Sequence, residues 1–178
     1  MLYVARHGQT QWNIQGRICG HADVELTAAG IEQAKRLAEL VNDLPERVTH
    51  ILTSPLNRAI NTAAIIAEKN EASVRIEPRL IEMDFGIFDG RLINDSAFQK
   101  ARREFSMPFT DGESILDVAG RIYPLLDSLS SKPNQTYLLV CHNALIRVID
   151  NYFNGKVMNA FLNYNVDNTV LLQYDFSS

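Results

Sequence analysis

Four short stretches carry side chains able to do phosphate or proton chemistry. In Ala5-Arg6-His7-Gly8 a guanidinium stands beside an imidazole where an apolar run ends. Arg6 offers a planar fork suited to phosphate oxygens, and His7 an imidazole that is largely neutral near pH 7 and nucleophilic. Gly8 lets a ligand approach the main chain closely. An ordinary surface turn is the competing reading of this triplet.

The stretch VCHNALIR, Val140 to Arg147, divides two ways. Cys141 and Arg147 have the spacing of a thiolate loop that cradles phosphate, whereas His142 points to imidazole chemistry. Thiolate loops expose several backbone N–H groups and usually need glycine to do so. This interior has none and turns apolar at Leu145-Ile146, so Cys141 reads as a small buried hydrophobe and His142 as the working residue. Arg147 reads as lying two helical turns beyond the strand, without a role. Cys19-x-His21 with Cys141-His142 also invites a zinc reading, but successive strand residues point to opposite faces and cannot both ligate one ion. His21 and His50 read as surface or structural residues.

Two further stretches add charge. Thr53-Ser54-Pro55-Leu56-Asn57-Arg58 places Arg58 in a first helical turn, where a cation is mildly unfavourable. An anion site would explain that conflict, and a solvated side chain is the alternative. In Glu82-Met83-Asp84-Phe85-Gly86, a carboxyl among apolar neighbours is a candidate general acid, with a surface acidic turn as the alternative. In an extended segment Glu82 and Asp84 share a face.

The elements that must position these groups alternate along the chain. Leu2 to Ala5, His50 to Leu52, Val74 to Glu77, Tyr137 to Val140 and Val170 to Leu172 read as strands. A helix from Thr27 buries Ile31, Ala34, Leu37, Ala38 and Val41, with Thr27 as its cap. A second has Ser54 as N-cap and Pro55 as N1 and runs to about Lys69, with Ile60, Ala63, Ala64 and Ala67 inward. A third opens at Gly112-Glu113-Ser114, and Pro124 should kink or interrupt it. A fourth spans about Ala144 to Tyr152. Asn94 to Thr110, inside a lid-like segment of about 92–112, is polar and irregular. This β-α-β-α order predicts a mostly parallel sheet covered on both faces. Ligands bind beyond the carboxyl ends of such strands, which puts Arg6-His7 and Cys141-His142 in one crevice.

Bulk properties narrow the class. The 178 residues are expected to form one domain, residues 1–178. A net charge of −4 argues against general affinity for nucleic acid or anionic membrane. No apolar run reaches the roughly 18 residues of a span, the N-terminus does not read as a signal peptide, and two cysteines do not make a disulfide framework. A cytoplasmic protein is expected.

Taken together, ARHGQTQWN, GRICGHADVELTAAGIEQA, TSPLNRAINTA, EMDFGIFDG, DGES and VCHNALIR occur in the order seen in the histidine phosphatase superfamily, the phosphoglycerate mutase-like proteins. The chain resembles that family from Ala5 to Arg147. The resemblance implies a three-layer α/β/α sandwich with a mostly parallel central sheet and a site at its C-terminal edge. It assigns the nucleophile to His7, the phosphate pocket to Arg6, Arg58 and His142, the last adding charge if protonated, and the proton donor to Glu82. Asn13, which closes the first motif, is a phosphoryl ligand. Gly8, Thr10, Cys19, Gly20 and Asn143 complete the expected binding set. No metal or cofactor is expected.

The resulting expectation is a phosphatase that hydrolyses a small phosphorylated metabolite through a phosphohistidine. Phosphoglycerate mutase-type transfer is the alternative, and a non-catalytic phospho-ligand binder is the alternative of another class. Family mutases carry longer segments after the Glu motif and longer C-terminal tails than this sequence, which favours hydrolysis. Arg102 and Arg103 read either as ligands of a second anionic group or as a solvated face. Gln9 and Asn143 depart from the family's common Glu and Gly.

Overall fold

A computed structural model describes residues 1–132 and 134–176. The elements in chain order are β1 (Leu2–Arg6), α1 (Gln11–Ile14), α2 (Ala28–Asn42), β2 (His50–Thr53), α3 (Asn57–Asn70), β3 (Ser73–Ile76), α4 (Ser96–Ala101), α5 (Ile115–Ser130), β4 (Tyr137–Cys141), α6 (Asn143–Asn154), α7 (Met158–Asn163) and β5 (Leu171–Tyr174). Short 3-10 turns occupy Pro78–Leu80 and Gly86–Phe88.

The strands form one sheet in the order β3-β2-β4-β1-β5. The first four run parallel, and β5 pairs antiparallel with β1. Strand periodicity divides the core between two layers. Tyr3, Ala5, Leu138 and Val140 pack with Leu37, Ala38 and Val41 of α2 and Ala59, Ala63 and Ile66 of α3. Leu2, Val4, Leu139 and Cys141 pack on the other side with α5 and α6. This is the three-layer, mostly parallel α/β architecture expected.

The register aligns the strand ends that carry chemistry. Arg6 stands opposite Cys141 and Thr53 opposite Val140. The ladder continues one residue further, with the His7 N–H donating to the Cys141 carbonyl at 3.0 Å and that of Ser54 to the Val140 carbonyl at 3.1 Å. His7, Ser54 and His142 therefore leave three adjacent strands at the same level.

Several local expectations are corrected. Ile31 of α2 is 39% exposed, and Gly30 takes the inward position. A Cβ at Gly30 would lie 2.2 Å from the Gln9 carbonyl oxygen, and one at Gly8 would lie 2.5 Å from that of Gly30. The two chains cross where neither tolerates a side chain, so packing against α2 accounts for Gly8. Helix α3 starts at Asn57, not at Ser54-Pro55. Ser54 is unavailable as its cap because its N–H extends the ladder and its hydroxyl faces His142. The buried stripe of α3 is Arg58, Ala59, Thr62, Ala63 and Ile66; of the four inward residues expected, only Ala63 is fully buried. Helix α5 runs unbroken through Pro124. The carbonyl that Pro124 cannot pair is that of Gly120, on the exposed side, where solvent satisfies it.

The irregular 94–110 stretch contains α4 and is anchored by aromatic rings. Phe98 and Phe109 stack at 5.6 Å, and both meet Phe85 and Phe88 within 5.9 Å. Gly86, at φ +53°, lets the Glu82 segment pass against Thr110, whose carbonyl oxygen lies 1.9 Å from where a Cβ would stand. Among the described residues no helix is long and apolar enough to cross a membrane.

Candidate active site

Beyond the carboxyl ends of β1 and β4 lies a cavity of about 540 Å3. Arg6, His7, Asn13, Cys19, Glu82 and Asn143 stand on its wall. Arg58 and His142 sit directly behind them, both 0% exposed, with the two imidazole rings 5.1 Å apart.

His7 is buried, and its Nδ1 lies 2.7 Å from the Gly8 carbonyl oxygen. A carbonyl only accepts, so this contact assigns the proton to Nδ1 and leaves a lone pair on Nε2. Burial, with Arg58 and Arg6 beside it, holds the imidazole well below its usual pKa range. The ring is thus neutral, in the tautomer a nucleophile requires.

Two guanidiniums supply positive charge. Arg58 occupies the first turn of α3 and donates to the carbonyls of Gly20 at 2.7 Å and Ala22 at 2.8 Å, with its Nε buried and unpaired. Arg6 donates to the Val166 carbonyl and also keeps an unpaired buried Nε. Carbonyl dipoles hold both cations. Arg6 also feels Glu82 and Asp167, but among the described residues neither guanidinium is in an ion pair, so their field is available to an anion.

Glu82 accepts from the N–H groups of Met83 at 2.8 Å and Ala144, the second residue of α6, at 3.4 Å. Arg58 and Arg6 pull its pKa down, yet burial outweighs them and raises it. Asp84 does not share its face; it accepts from the Gly86 N–H and approaches His21 at 3.6 Å.

His142 stands behind the wall as a neutral ring. Burial, followed by Arg58, His7, Arg6 and Arg121, holds it well below the usual range, so it brings no charge. Its Nε2 lies 2.7 Å from the Ser54 hydroxyl, while Nδ1 is buried without a partner among the described residues. The Ser54 hydroxyl oxygen already accepts from the Leu56 N–H. Where that hydroxyl gives its own proton to Nε2, the ring's proton sits on Nδ1 as a spare donor.

The remaining expected binding residues divide by what already occupies them. Asn13 accepts through Oδ1 from the Thr10 N–H and from Asn168 Nδ2, which frees its own amide N–H groups at the cavity wall. Thr10 is buried as the cap that builds that turn. Gly8 spends its N–H on Thr62, and Gly20 spends its N–H on Asp89 and its carbonyl on Arg58. Cys19 lies on the wall, with its thiol pushed up to about 11, chiefly by burial. Asn143 accepts from the Val166 N–H at 3.0 Å, leaving its Nδ2 group free. Cys141 is sealed in the core, and burial pushes its thiol far up. Trp12 packs beneath Gly90, away from the cavity wall. Among the described residues no cluster of three or more His, Cys, Asp or Glu side chains is arranged to hold a metal.

Sequence reasoning missed Ser54 as the partner of His142 and Asn168, which donates to the His7 carbonyl at 2.9 Å. It also missed Arg121, whose fork grips Glu113 at 3.0 and 3.1 Å and whose other nitrogen reaches the Ile81 carbonyl at 2.8 Å. Glu113 in turn accepts from the Asp84 N–H, and the acidic residue of DGES was the available signal. Arg102 lies on the cavity wall, whereas Arg103 is exposed.

Solved structures share this fold. A mycobacterial glucosyl-3-phosphoglycerate phosphatase superposes with a TM-score of 0.82 at 28% identity, over 96% of this chain and 87% of the other. A phosphoserine phosphatase from Entamoeba histolytica, in complex with 3-phosphoglyceric acid, gives 0.82 at 30% identity over the same shares. Among curated proteins, the probable phosphoglycerate mutase GpmB of Proteus mirabilis is 36% identical over 149 residues, 79% of this chain and 68% of that protein. The GpmB protein of Erwinia tasmaniensis is 35% identical over 167 residues, covering 89% and 77%. Residues 2–178 match the histidine phosphatase superfamily (branch 1). With the sheet, the motif order and the paired His7 and His142 in agreement, the chain belongs to the histidine phosphatase superfamily.

Proposed function

We propose that this protein is a metal-independent phosphatase that hydrolyses a small phosphorylated metabolite through a phosphohistidine on His7. The observation that carries this reading is the pairing of a neutral His7, its Nε2 lone pair free, with a buried Glu82 carboxyl whose pKa burial raises above the usual range.

In the first step His7 Nε2 forms a bond to phosphorus as the bond to the leaving oxygen breaks. Glu82 gives that oxygen its proton, and the product alcohol departs. Arg6 and Arg58 hold the equatorial oxygens, so the positive charge comes from guanidiniums, and the Asn13 amide and His142 Nδ1–H donate hydrogen bonds to them. In the second step the Glu82 carboxylate takes a proton from water as the water oxygen bonds to phosphorus. The P–N bond breaks, inorganic phosphate leaves, and His7 recovers its lone pair.

The phosphatases among the solved structures support hydrolysis. The mutase-named relatives support the alternative, transfer back to substrate. A mutase must keep water from the phosphoenzyme. A cavity of about 540 Å3 holds several waters, at roughly 30 Å3 each, beside a small substrate. Rapid quench with a phosphorylated metabolite panel should trap an acid-labile, base-stable phosphoprotein that His7→Asn does not form. Single turnover in ¹⁸O water should then place the label in inorganic phosphate. Label-free isomerised or doubly phosphorylated product would establish the mutase, and absence of both phosphoenzyme and turnover would leave a binding module.

A further inference from the structure

The reaction at His7 uses one end of the cavity. The other end holds a cation that the mechanism leaves idle. Asn143 and Arg147 are four residues apart on α6 and so lie on the same face, with Arg147 about 6 Å further from the phosphoryl end. Both stand on the cavity wall. Arg147 is therefore one turn into α6 and, far from idle, on the cavity wall.

Its surroundings are unusual for a cation this enclosed. It donates Nε–H to the Tyr164 carbonyl at 3.1 Å, and its guanidinium carbon lies 5.9 Å from the Phe161 ring centroid. Among the described residues it forms no ion pair, and Glu104 and Asp167, the other acids on the wall, are not paired with it. Burial, with Arg102 and Arg6 nearby and against the pull of Glu82, lowers it to about 10, so it stays charged at neutral pH with no carboxylate in contact among the described residues. An unpaired, partly buried guanidinium is costly unless something else pairs it. The cavity wall also carries the apolar rings of Phe98, Phe105 and Phe109.

We infer that Arg147 is a specificity-determining residue that binds a second anionic group on the leaving alcohol, whose apolar or aromatic body lies along the Phe98–Phe109 wall. The substrate class is then a phosphomonoester of an alcohol carrying a carboxylate or comparable anion roughly one helical turn from the phosphorus. This rests on the phosphoryl group sitting at His7.

The test compares 4-carboxyphenyl phosphate with 4-carbamoylphenyl phosphate, esters of equal shape that differ in the distal charge. The carbamoyl ester has the better leaving group, so intrinsic reactivity opposes the expected preference. Wild type should favour the carboxylate ester in kcat/KM by roughly 10- to 100-fold, through KM, and the ratio should shrink with added salt. Arg147→Met, which keeps the stem's packing, should lose the preference while turning over the carbamoyl ester within a factor of about three of wild type. A wild-type ratio near one, or a variant that slows both esters equally, overturns the inference while phosphoenzyme on His7 keeps the catalytic reading. Failure to form phosphoenzyme from either ester overturns both. The wild-type ratio and its salt dependence decide the matter even where the variant does not fold.

Discussion

His142 Nε2 and the Ser54 hydroxyl lie 2.7 Å apart, both fully buried, joining the ends of β4 and β2. The contact fixes the plane of the imidazole behind His7 and decides which ring nitrogen is spare. Ser54→Ala should therefore do more than remove a hydroxyl. It leaves Nε2 unpaired in a dry site, at a cost of about 1–3 kcal/mol, and lets the ring turn. The expected outcome is a lower thermal midpoint together with a roughly tenfold slower phosphoenzyme formation, read by rapid quench. An unchanged quench rate would mean that His142 needs no such support.

Glu82 sets the alkaline limb. Its carboxyl is raised by burial above an ordinary glutamate, against the pull of Arg58 and Arg6. The donor works only while protonated, so kcat should fall as pH rises through its folded pKa, and Glu82→Gln should be slow at every pH. Stability follows the same sign. Between the unfolded and folded pKa the native state holds a proton that the unfolded chain has released, so stability falls as pH rises across that window. Denaturant unfolding of wild type and Glu82→Gln should show this decline in wild type alone. A flat kcat profile from about pH 5 to 9 in both proteins would remove Glu82 as donor.

His7 and His142 act in the opposite direction. Both imidazoles are held well below the usual value, first by burial and then by Arg58. Below the unfolded value near 6.5 the unfolded chain takes up protons that the native state refuses. Stability should therefore drop on acidification, by up to ~1.4 kcal/mol per pH unit for each group. His142→Gln should flatten the slope between about pH 6.5 and 5 by up to half. Midpoints in urea at several pH values measure it, and an unaltered slope would mean that the ring is protonated in the native state.

The strands and the meeting of Arg6 and His7 with His142 were legible because strand periodicity and strand-end positions are local signals. Arg58, on a helix, and Glu82, in a loop, joined them only through the family resemblance. The face of α3 was not legible, because two of its buried residues are polar. Arg58 and Thr62 are inward to serve Gly20 and Gly8, contacts made across the fold and invisible to a hydrophobicity pattern. The cavity's far wall was equally hidden. Leu162 to Asn168 is an asparagine-rich run with no periodicity, yet it supplies Asn168 to His7 and the Tyr164 carbonyl to Arg147. The distance of Arg147 from the strand end was read about right, but that its face of α6 lines the cavity was not, because the helix's orientation is set by packing across the fold.

Arg121 is expected to position Glu82 without touching substrate. Its fork holds the Glu113 carboxylate, and its remaining donors reach the carbonyls of Arg79, Ile81 and Glu82, the backbone from which the acid projects. Glu113 closes the loop by accepting from the Asp84 N–H. Removing the guanidinium leaves a carboxylate and at least two carbonyls to find water. The pair is 17% and 24% exposed, so the loss should be nearer 2 kcal/mol than the ~3–5 of a fully buried pair. Catalysis should suffer separately. With its backbone loosened, Glu82 meets more water, burial raises its pKa less, and the alkaline limb of kcat moves to lower pH. Arg121→Gln should show both effects, whereas a merely structural arginine would lower the midpoint and leave the pH profile where it was. Arg121→Lys keeps the charge but not the fork, and should recover little of either, since one ammonium cannot span Glu113 and the Ile81 carbonyl with the same geometry. The pH profile of kcat, measured well below the unfolding temperature of each variant, decides between positioning and scaffold.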